Sequence, residues 1–357
     1  MPQKVGIVGA GLIGRLLAVE LQRLGWDVTL FDRDGEAGTQ SCTWTGAGML
    51  APFCELERAE TVIGELGVQS LALWPELLQH LDLPVTCYQR GSLMVAHPSD
   101  RAELDRIKRV YQKRLTDPAV LRAVGRDEVG ELEPELAGRF HEGLYFASEG
   151  QVDNRELLVA LAATIKSRGI AWLTGVEFAH VGPRQLTHGG RTWSFDWVLD
   201  CRGLGARPDL PDLRGVRGEL VYVHAPEVHL RRPVRLVHPR YPIYIVPRAN
   251  DKYLIGATAI ESEDRSDIAV RSMLELLSAA YTVHTGFAEA RFVEQSVNCR
   301  PAFPDNLPRL CHAPGLLRVN GMYRHGFLIS PKLLQYILGY LTTGAIPPAA
   351  ASIFRPA

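Results

Sequence analysis

The chain has 357 residues, which is enough for two domains of ordinary size with a hydrophobic core each. Its 39 basic and 40 acidic residues nearly cancel, and this balance argues against a nucleic acid or an anionic membrane surface as a partner. No segment reaches the roughly 18 uninterrupted apolar residues of a membrane span, and no signal peptide precedes the first predicted strand, so we expect a cytoplasmic protein.

Residues 5–32 have the pattern of a dinucleotide-binding unit: a buried strand, a Gly-x-Gly-x-x-Gly turn, an amphipathic helix and a second strand that ends in an acid. Gly9 permits the tight turn, Gly11 lets the backbone approach a pyrophosphate, and Gly14 lets helix and strand pack closely. Asp32 would accept hydrogen bonds from a ribose diol, and its charge argues against a 2′-phosphate. The motif fits both FAD and NAD, and its place at the start of the chain favours FAD.

A second helix-and-strand segment follows in the middle of the chain. Asp153 is predicted to cap an amphipathic helix, and residues 172–176 then form a strand. Residues 188–190 mark a hairpin, and residues 197–201 form a core strand that leads into a glycine-containing turn. The nucleotide-binding domain is therefore expected to consist of separated pieces of the chain.

Two other segments differ in character from this domain. Residues 84–144 are rich in charge and turns, whereas residues 218–298 contain strand-like runs at 220–223, 243–247 and 252–258. We expect the two segments to form one antiparallel sheet that covers the nucleotide-binding domain.

The last part of the chain returns to the nucleotide-binding pattern. Residues 317–321 are strand-like, and a loop follows them. Ser330 is predicted as the N-cap of a long helix and Pro331 as its first residue, because serine and proline are preferred at these two positions.

The six cysteines show neither Cys-x-x-Cys pairing nor a spacing typical of metal ligands; they are Cys42, Cys54, Cys87, Cys201, Cys299 and Cys311. We therefore expect free thiols in a reducing compartment and no metal site.

Several further segments carry a resemblance to a known family: residues 41–50 (SCTWTGAGML), 216–219, 244–248 with 255–258, 299–301 with Asp305, and 323–328. Together with the glycine turn, they resemble the D-amino-acid oxidase superfamily of FAD-dependent amine oxidoreductases, and within it the glycine oxidases of thiamine biosynthesis. The resemblance extends over essentially the whole chain. It implies an α/β fold of the D-amino-acid oxidase and glutathione-reductase-like type, in which a Rossmann-like FAD-binding domain is interleaved with an antiparallel-sheet substrate domain.

The implied FAD-binding domain comprises residues 1–83, 145–217 and 299–357, and the implied substrate-binding domain comprises residues 84–144 and 218–298. The resemblance further implies FAD as the cofactor. Some relatives attach the flavin through a cysteine in the region of Cys299, but we expect non-covalent FAD here because a buried small residue beside Arg300 is the simpler interpretation. The implied cofactor-binding residues are Gly9, Gly11, Gly14, Asp32, Arg33, Thr43, Ala47, Gly48, Met49, Val176, Gly203, Arg324, His325, Gly326, Phe327 and Leu328.

Three residues are implied in substrate chemistry. Arg300 would grip a substrate carboxylate with its guanidinium fork, Tyr244 would add a hydroxyl donor, and Arg324 would lie next to both flavin and substrate. The implied reaction moves a hydride from the α-carbon of a small amino acid or N-methyl amine to flavin N5, and water hydrolyses the resulting imine. The helix after Ser330 would direct its positive end at the flavin pyrimidine edge.

Other interpretations stay open at this stage. Oxidation of a 2-hydroxy acid would use the same arginine grip, and a flavin- or NAD-binding subunit without turnover would use only the nucleotide site. Oxygen and a quinone are both candidate electron acceptors, and self-association into a homo-oligomer is open. Glu55 and Glu57 fit either the pocket entrance or a solvated helix face, and Arg202 stands where the resembling family more often has a small residue.

Overall fold

The structure is a computed structural model that describes residues 2–57, 59–115 and 117–357. Met1, Arg58 and Thr116 fall inside the predicted domains and lie outside the described residues. The helices in the described part are α1 (Leu12–Arg23), α2 (Cys42–Thr45), α3 (Pro52–Glu55), α4 (Thr61–Gln79), α5 (Arg101–Arg114), α6 (Arg126–Leu132), α7 (Asn154–Ser167), α8 (Val270–Val283) and α9 (Gly326–Thr343). The strands are β1 (Lys4–Val8), β2 (Asp27–Phe31), β3 (Met49–Leu50), β4 (Cys87–Tyr88), β5 (Ser92–Ala96), β6 (Arg122–Gly125), β7 (Glu142–Phe146), β8 (Gly150–Val152), β9 (Ala171–Leu173), β10 (Gln185–His188), β11 (Arg191–Ser194), β12 (Trp197–Asp200), β13 (Arg214–His224), β14 (Val234–Val237), β15 (Ile243–Pro247), β16 (Lys252–Gly256), β17 (Arg291–Ala302), β18 (Arg309–Ala313), β19 (Leu316–Asn320) and β20 (Phe354–Pro356).

The first sheet has the strand order β20-β18-β19-β12-β1-β2-β9 and is parallel except where β18 meets β19. Strand β1 lies near its centre, with Ile7 opposite Leu30 on one side and Leu199 on the other. Helices α1, α7 and α9 supply buried side chains to the core on one face, and the β10–β11 hairpin covers the other. The predicted separated pieces therefore meet in one sheet.

Local signals in this sheet are mostly confirmed. Asp153 caps α7, because its carboxylate accepts the N–H groups of Arg155 and Glu156, each at 3.0 Å. The predicted strand at 172–176 is shorter than expected, since β9 ends at Leu173. Gly175 has a φ of +71°, a left-handed conformation that turns the chain away from the sheet.

The second sheet has the order β17-β13-β16-β15-β14-β5-β7-β6. The predicted antiparallel sheet is found, with one parallel junction between β14 and β5, where Leu236 lies opposite Val95. These two strands come from different segments of the chain, so no hairpin turn imposes an antiparallel direction on them. The predicted domain borders at 217/218 and 298/299 fall within β13 and β17, which pair with each other.

The last helix begins one turn earlier than predicted. Helix α9 starts at Gly326 after His325, and the Ser330 hydroxyl donates a hydrogen bond to the Gly326 carbonyl at 2.5 Å inside the helix. Pro331 has no N–H to offer the carbonyl of Phe327, but the Trp74 indole N–H donates to that oxygen at 3.1 Å. The tertiary contact therefore replaces the missing helical bond and lets the helix pass through a residue that usually starts one.

Candidate functional site

The glycine turn after β1 forms one wall of a cavity at the edge of the parallel sheet. Gly9 has a φ of +105°, and a Cβ added there would lie 2.4 Å from the carbonyl oxygen of Cys201. At Gly11 the nearest atom to an added Cβ is the hydroxyl of Thr43, at 3.7 Å, so this side of the turn is open. The start of α1 offers backbone N–H groups here, which suits a pyrophosphate.

Gly14 is the one predicted cofactor-binding residue that does not line this cavity. A Cβ added there would lie 1.9 Å from the carbonyl oxygen of Gly9. Its role is therefore the close packing of α1 against the turn, and the structure gives it no contact with the cavity.

Asp32 lies at the end of β2, where its carboxylate accepts hydrogen bonds from the backbone N–H groups of Ala10 and, at 2.6 Å, Asp34. These bonds join β2 to the glycine turn. Val176 donates its N–H to the Asp32 carbonyl at 3.0 Å, and the exposed Arg33 pairs with Glu177 at 3.1 Å. This end of the cavity is thus built from the loops after β1, β2 and β9.

The loop between α2 and β3 is held by residues far away in the sequence. The Asn154 side-chain amide donates to the carbonyls of Thr43 and Trp44 at 2.9 and 2.8 Å, and the Arg248 guanidinium donates to the Ala47 carbonyl at 2.6 Å. Gly48 has a φ of +61°, and a Cβ there would lie 1.9 Å from the carbonyl oxygen of Val152. The loop is therefore fixed where Ala47, Gly48 and Met49 line the cavity.

Arg300 and Tyr244 line the opposite part of the same cavity. The guanidinium Nη1 of Arg300 donates to the carbonyls of Thr258 and Arg217 at 3.1 and 3.3 Å. Within the described part of the chain, Arg300 forms no ion pair with a carboxylate, so its charge is left for a ligand. Burial raises the pKa of the Tyr244 phenol, which therefore remains a hydrogen-bond donor at neutral and mildly alkaline pH.

Arg324 is bound by a carboxylate of the protein. Its Nε and Nη2 lie 3.0 and 3.3 Å from the two oxygens of Glu55, which also lines the cavity. Glu57 instead pairs with Arg106 at 2.7 Å and does not line the cavity. Glu55 therefore lies at the pocket as one of the two alternatives predicted, whereas Glu57 fits neither alternative, because it lies outside the cavity and its side chain is only 8% exposed.

His325 is buried in the cavity wall that Tyr244 and Arg300 also line, immediately before the start of α9. Burial lowers its pKa to about 4, so the imidazole is neutral at pH 7. Its Nδ1 has no hydrogen-bond partner among the described residues and lies 3.7 Å from the nearer Glu55 oxygen. Gly326, Phe327 and Leu328 follow as the first turn of α9, whose N–H groups have no partners inside the helix.

Arg202 and Cys299, two residues singled out in the sequence, both contact other groups of the protein. Arg202 lies at the cavity wall with its guanidinium paired to Asp200 at 2.8 Å and to Asp209, so it adds little free charge. The Cys299 thiol points towards the carbonyls of Ser262 and Asp264, at 3.8 and 3.6 Å.

All six cysteines are unpaired, and no cluster of metal-ligating side chains is found in the part of the chain that the structure describes. No described helix is long and apolar enough to cross a membrane.

The cavity thus brings together every predicted site residue except Gly14, namely Gly9, Gly11, Asp32, Arg33, Thr43, Ala47, Gly48, Met49, Val176, Gly203, Tyr244, Arg300, Arg324, His325, Gly326, Phe327 and Leu328. These residues fit FAD. The open glycine turn and Asp32 suit the adenosine and pyrophosphate part, and the fixed Ala47–Met49 loop with the start of α9 suits the flavin ring. Asn154 and Arg248 support that loop but were not predicted from the sequence, because only the fold places them beside it.

Comparison with known proteins finds FAD-dependent oxidoreductases. Residues 4–333 match the family described as DAO, FAD dependent oxidoreductase. A relative from Rhizobium etli, provisionally named thiamine biosynthesis oxidoreductase ThiO, is 42% identical over 340 residues, which cover 95% of this chain and 97% of the relative. The glycine oxidase of Geobacillus kaustophilus is 28% identical over 345 residues, covering 92% of this chain and 89% of the relative. A crystal structure of glycine oxidase from Geobacillus kaustophilus has a TM-score of 0.83 at 26% identity and covers 99% of this chain and 98% of that chain.

The family match spans most of the chain, and the structural match spans nearly all of it. The resemblance stated from the motifs, the predicted fold class and FAD as the cofactor are therefore confirmed. This chain belongs to the DAO family of FAD-dependent oxidoreductases.

Proposed function

We propose that this protein oxidises a small amino acid or N-methyl amine, such as glycine, sarcosine or a small D-amino acid, to an imine that water then hydrolyses. The observation that carries the proposal is the Arg300 guanidinium, which faces the cavity without an ion-pair partner among the described residues. A planar guanidinium binds both oxygens of a carboxylate at once, and this grip orients the rest of a small substrate.

We assign a proposed role to each of three residues at the Arg300 end of the cavity. Arg300 binds the carboxylate, and Tyr244 donates its hydroxyl to the same group or to a neighbouring substrate atom. FAD, when bound, supplies the acceptor for the hydride that leaves the substrate's α-carbon. Because its pKa is about 4, His325 is neutral at pH 7 and is proposed to shape the wall of the site.

The relatives support an amine as the substrate. The name of the 28% identical relative describes a glycine oxidase, and that of the 42% identical relative describes an oxidoreductase of thiamine biosynthesis. We propose the cavity-lining residues named above as the FAD site, with the cofactor held non-covalently. The electron acceptor, oxygen or a quinone, the homo-oligomeric state, the cytoplasmic location and the two-domain division remain predictions.

The test is an anaerobic spectrum of the yellow holoenzyme. Glycine, sarcosine, D-alanine, D-proline and glycolate are added in turn, and air is then readmitted. Bleaching by an amine and not by glycolate supports the proposal, and fast recolouring in air identifies an oxidase. Bleaching by glycolate alone would establish the 2-hydroxy-acid alternative, and no bleaching by any compound would favour a non-catalytic flavoprotein.

A further inference from the structure

Glu55 places a carboxylate at the substrate end of the cavity. Its side chain is 14% exposed and lines the same cavity as Tyr244 and Arg300. The Tyr244 phenol is close enough to Glu55, Arg300, Arg324 and Arg235 for all four charges to affect its pKa, which burial raises. Glu55, Arg300 and Arg324 therefore line this end of the cavity, and Arg235 is a further cation that contacts Glu55 from outside the lining.

Glu55 binds two of these three cations. Arg324 contacts both carboxylate oxygens, at 3.0 and 3.3 Å, and Arg235 approaches one of them at 3.5 Å. Arg300 is the third cation and has no such partner among the described residues. Arg265 also lines the cavity, but it is exposed, and solvent screens exposed charges.

The backbone that carries Glu55 is held on both sides. The buried Glu149 carboxylate accepts the N–H groups of Phe53 and Cys54 at 2.9 and 2.7 Å, at the start of α3. On the other side, Arg114 donates to the carbonyl of Leu56 at 2.7 Å. Glu55 is therefore a preorganised group, and its carboxylate would have to break two guanidinium contacts to leave.

We propose that Glu55 sets the charge specificity of the substrate site, because it neutralises Arg324 and Arg235 and leaves Arg300 to bind a single carboxylate. The site then accepts monocarboxylates and rejects ligands with a second anionic group. Such a group would meet the Glu55 charge, and the only other cavity-lining guanidinium without a carboxylate partner among the described residues is that of the exposed Arg265, whose charge solvent screens. This inference rests on the proposed function, since it takes Arg300 as the carboxylate grip.

The experiment uses two ethers that cannot be oxidised as amines: methoxyacetate, with one carboxylate, and diglycolate, with a second carboxylate in place of a hydrogen. Their dissociation constants are measured by calorimetry on the FAD-loaded wild type, Glu55→Gln and Glu57→Gln. Glu57 is the matched control, because it loses the same charge two residues away and outside the cavity.

We expect the wild type to bind methoxyacetate at least tenfold more tightly than diglycolate. Loss of the Glu55 charge is expected to shift this ratio at least tenfold towards diglycolate, whereas Glu57→Gln leaves it unchanged. Equal binding of both ethers by the wild type, or an unchanged ratio in Glu55→Gln, would overturn the proposal. So would absence of methoxyacetate binding to the wild type.

The wild-type ratio is informative even where a variant does not fold. The amine reaction is tested separately by anaerobic bleaching. Discrimination between the ethers without bleaching by amines would therefore contradict the proposed function and leave the charge specificity standing.

Discussion

Gly218 offers a way to disturb the proposed carboxylate binding by Arg300 without changing a charged residue. A Cβ added at this position would lie 2.4 to 2.5 Å from the carbon and both terminal nitrogens of the Arg300 guanidinium. Carbon atoms in contact are roughly 3.5 Å apart, so the guanidinium would have to retreat by about 1 Å. Gly218→Ala should therefore act on the substrate through Arg300.

The size of the effect follows from the hydrogen bonds at stake. A hydrogen bond to a charged group contributes about 1.5–3 kcal/mol. Loss of one of the two hydrogen bonds between the Arg300 guanidinium and the substrate carboxylate should therefore lower kcat/KM by roughly 10- to 150-fold. Most of the change should appear in KM, because the grip is made both before and during the reaction. The measurement is steady-state oxidation of the amine that bleaches the wild-type flavin, at matched FAD content.

Two variants make this prediction specific. Gly339→Ala on α9 is the control, because an added Cβ there has no atom within 4 Å, and its activity should match the wild type. Arg300→Lys keeps the charge and lacks the fork, so adding Gly218→Ala to it should cost much less than Gly218→Ala alone. A fully folded, FAD-loaded Gly218→Ala enzyme with kcat/KM within twofold of the wild type would refute the reasoning.

Three further predictions concern the cofactor and stability. Asp32→Ala removes the acceptor of the Ala10 and Asp34 N–H groups and should weaken FAD binding by roughly 10- to 100-fold in a fluorescence titration; unchanged affinity would contradict the assigned role. Burial lowers the pKa of His325 to about 4, and the unfolded value is about 6.5, so the unfolded state gains the proton first as pH falls. The contribution of the neutral His325 to the free energy of unfolding is therefore present above pH 6.5 and lost as the pH falls towards 4. Between pH 7 and 4.5 the free energy of unfolding of the wild type, measured in urea, should fall by about 2 kcal/mol more than that of His325→Gln. Equal losses would argue against a buried neutral imidazole. Acid denaturation should release all FAD and leave a chain with the mass of the polypeptide alone, whereas an added flavin mass would identify a covalent link, with Cys299 as the first residue to examine.

Local sequence signals predicted much of the nucleotide-binding half. The Gly9 turn, the acid at the end of β2 and the Asp153 cap are found as predicted, because each depends on neighbours within a few residues. The Ser330 and Pro331 prediction is wrong for the start of α9, because a bond from Trp74, more than 250 residues away, supplies what proline lacks. A cap preference is worth about 1 kcal/mol and an interior proline costs about 3 kcal/mol, so the Trp74 bond overrides them only together with the buried apolar side chains of α9.

The order of motifs along the chain determined the family, the fold class and the cofactor, since glycine turns and small-residue loops are recognisable in short segments of sequence. Only the tertiary structure decided the electrostatics of the substrate end. It brings Glu55 against Arg324, which lies 269 residues further along the chain, and against Arg235 from β14. Ion pairs of this kind depend on how separate elements pack, and short-range sequence patterns contain no information about which charges will meet. For that reason Arg300 and Arg324 were predicted together from the sequence, whereas the fold pairs Arg324 with Glu55 and leaves Arg300 without a carboxylate partner among the described residues.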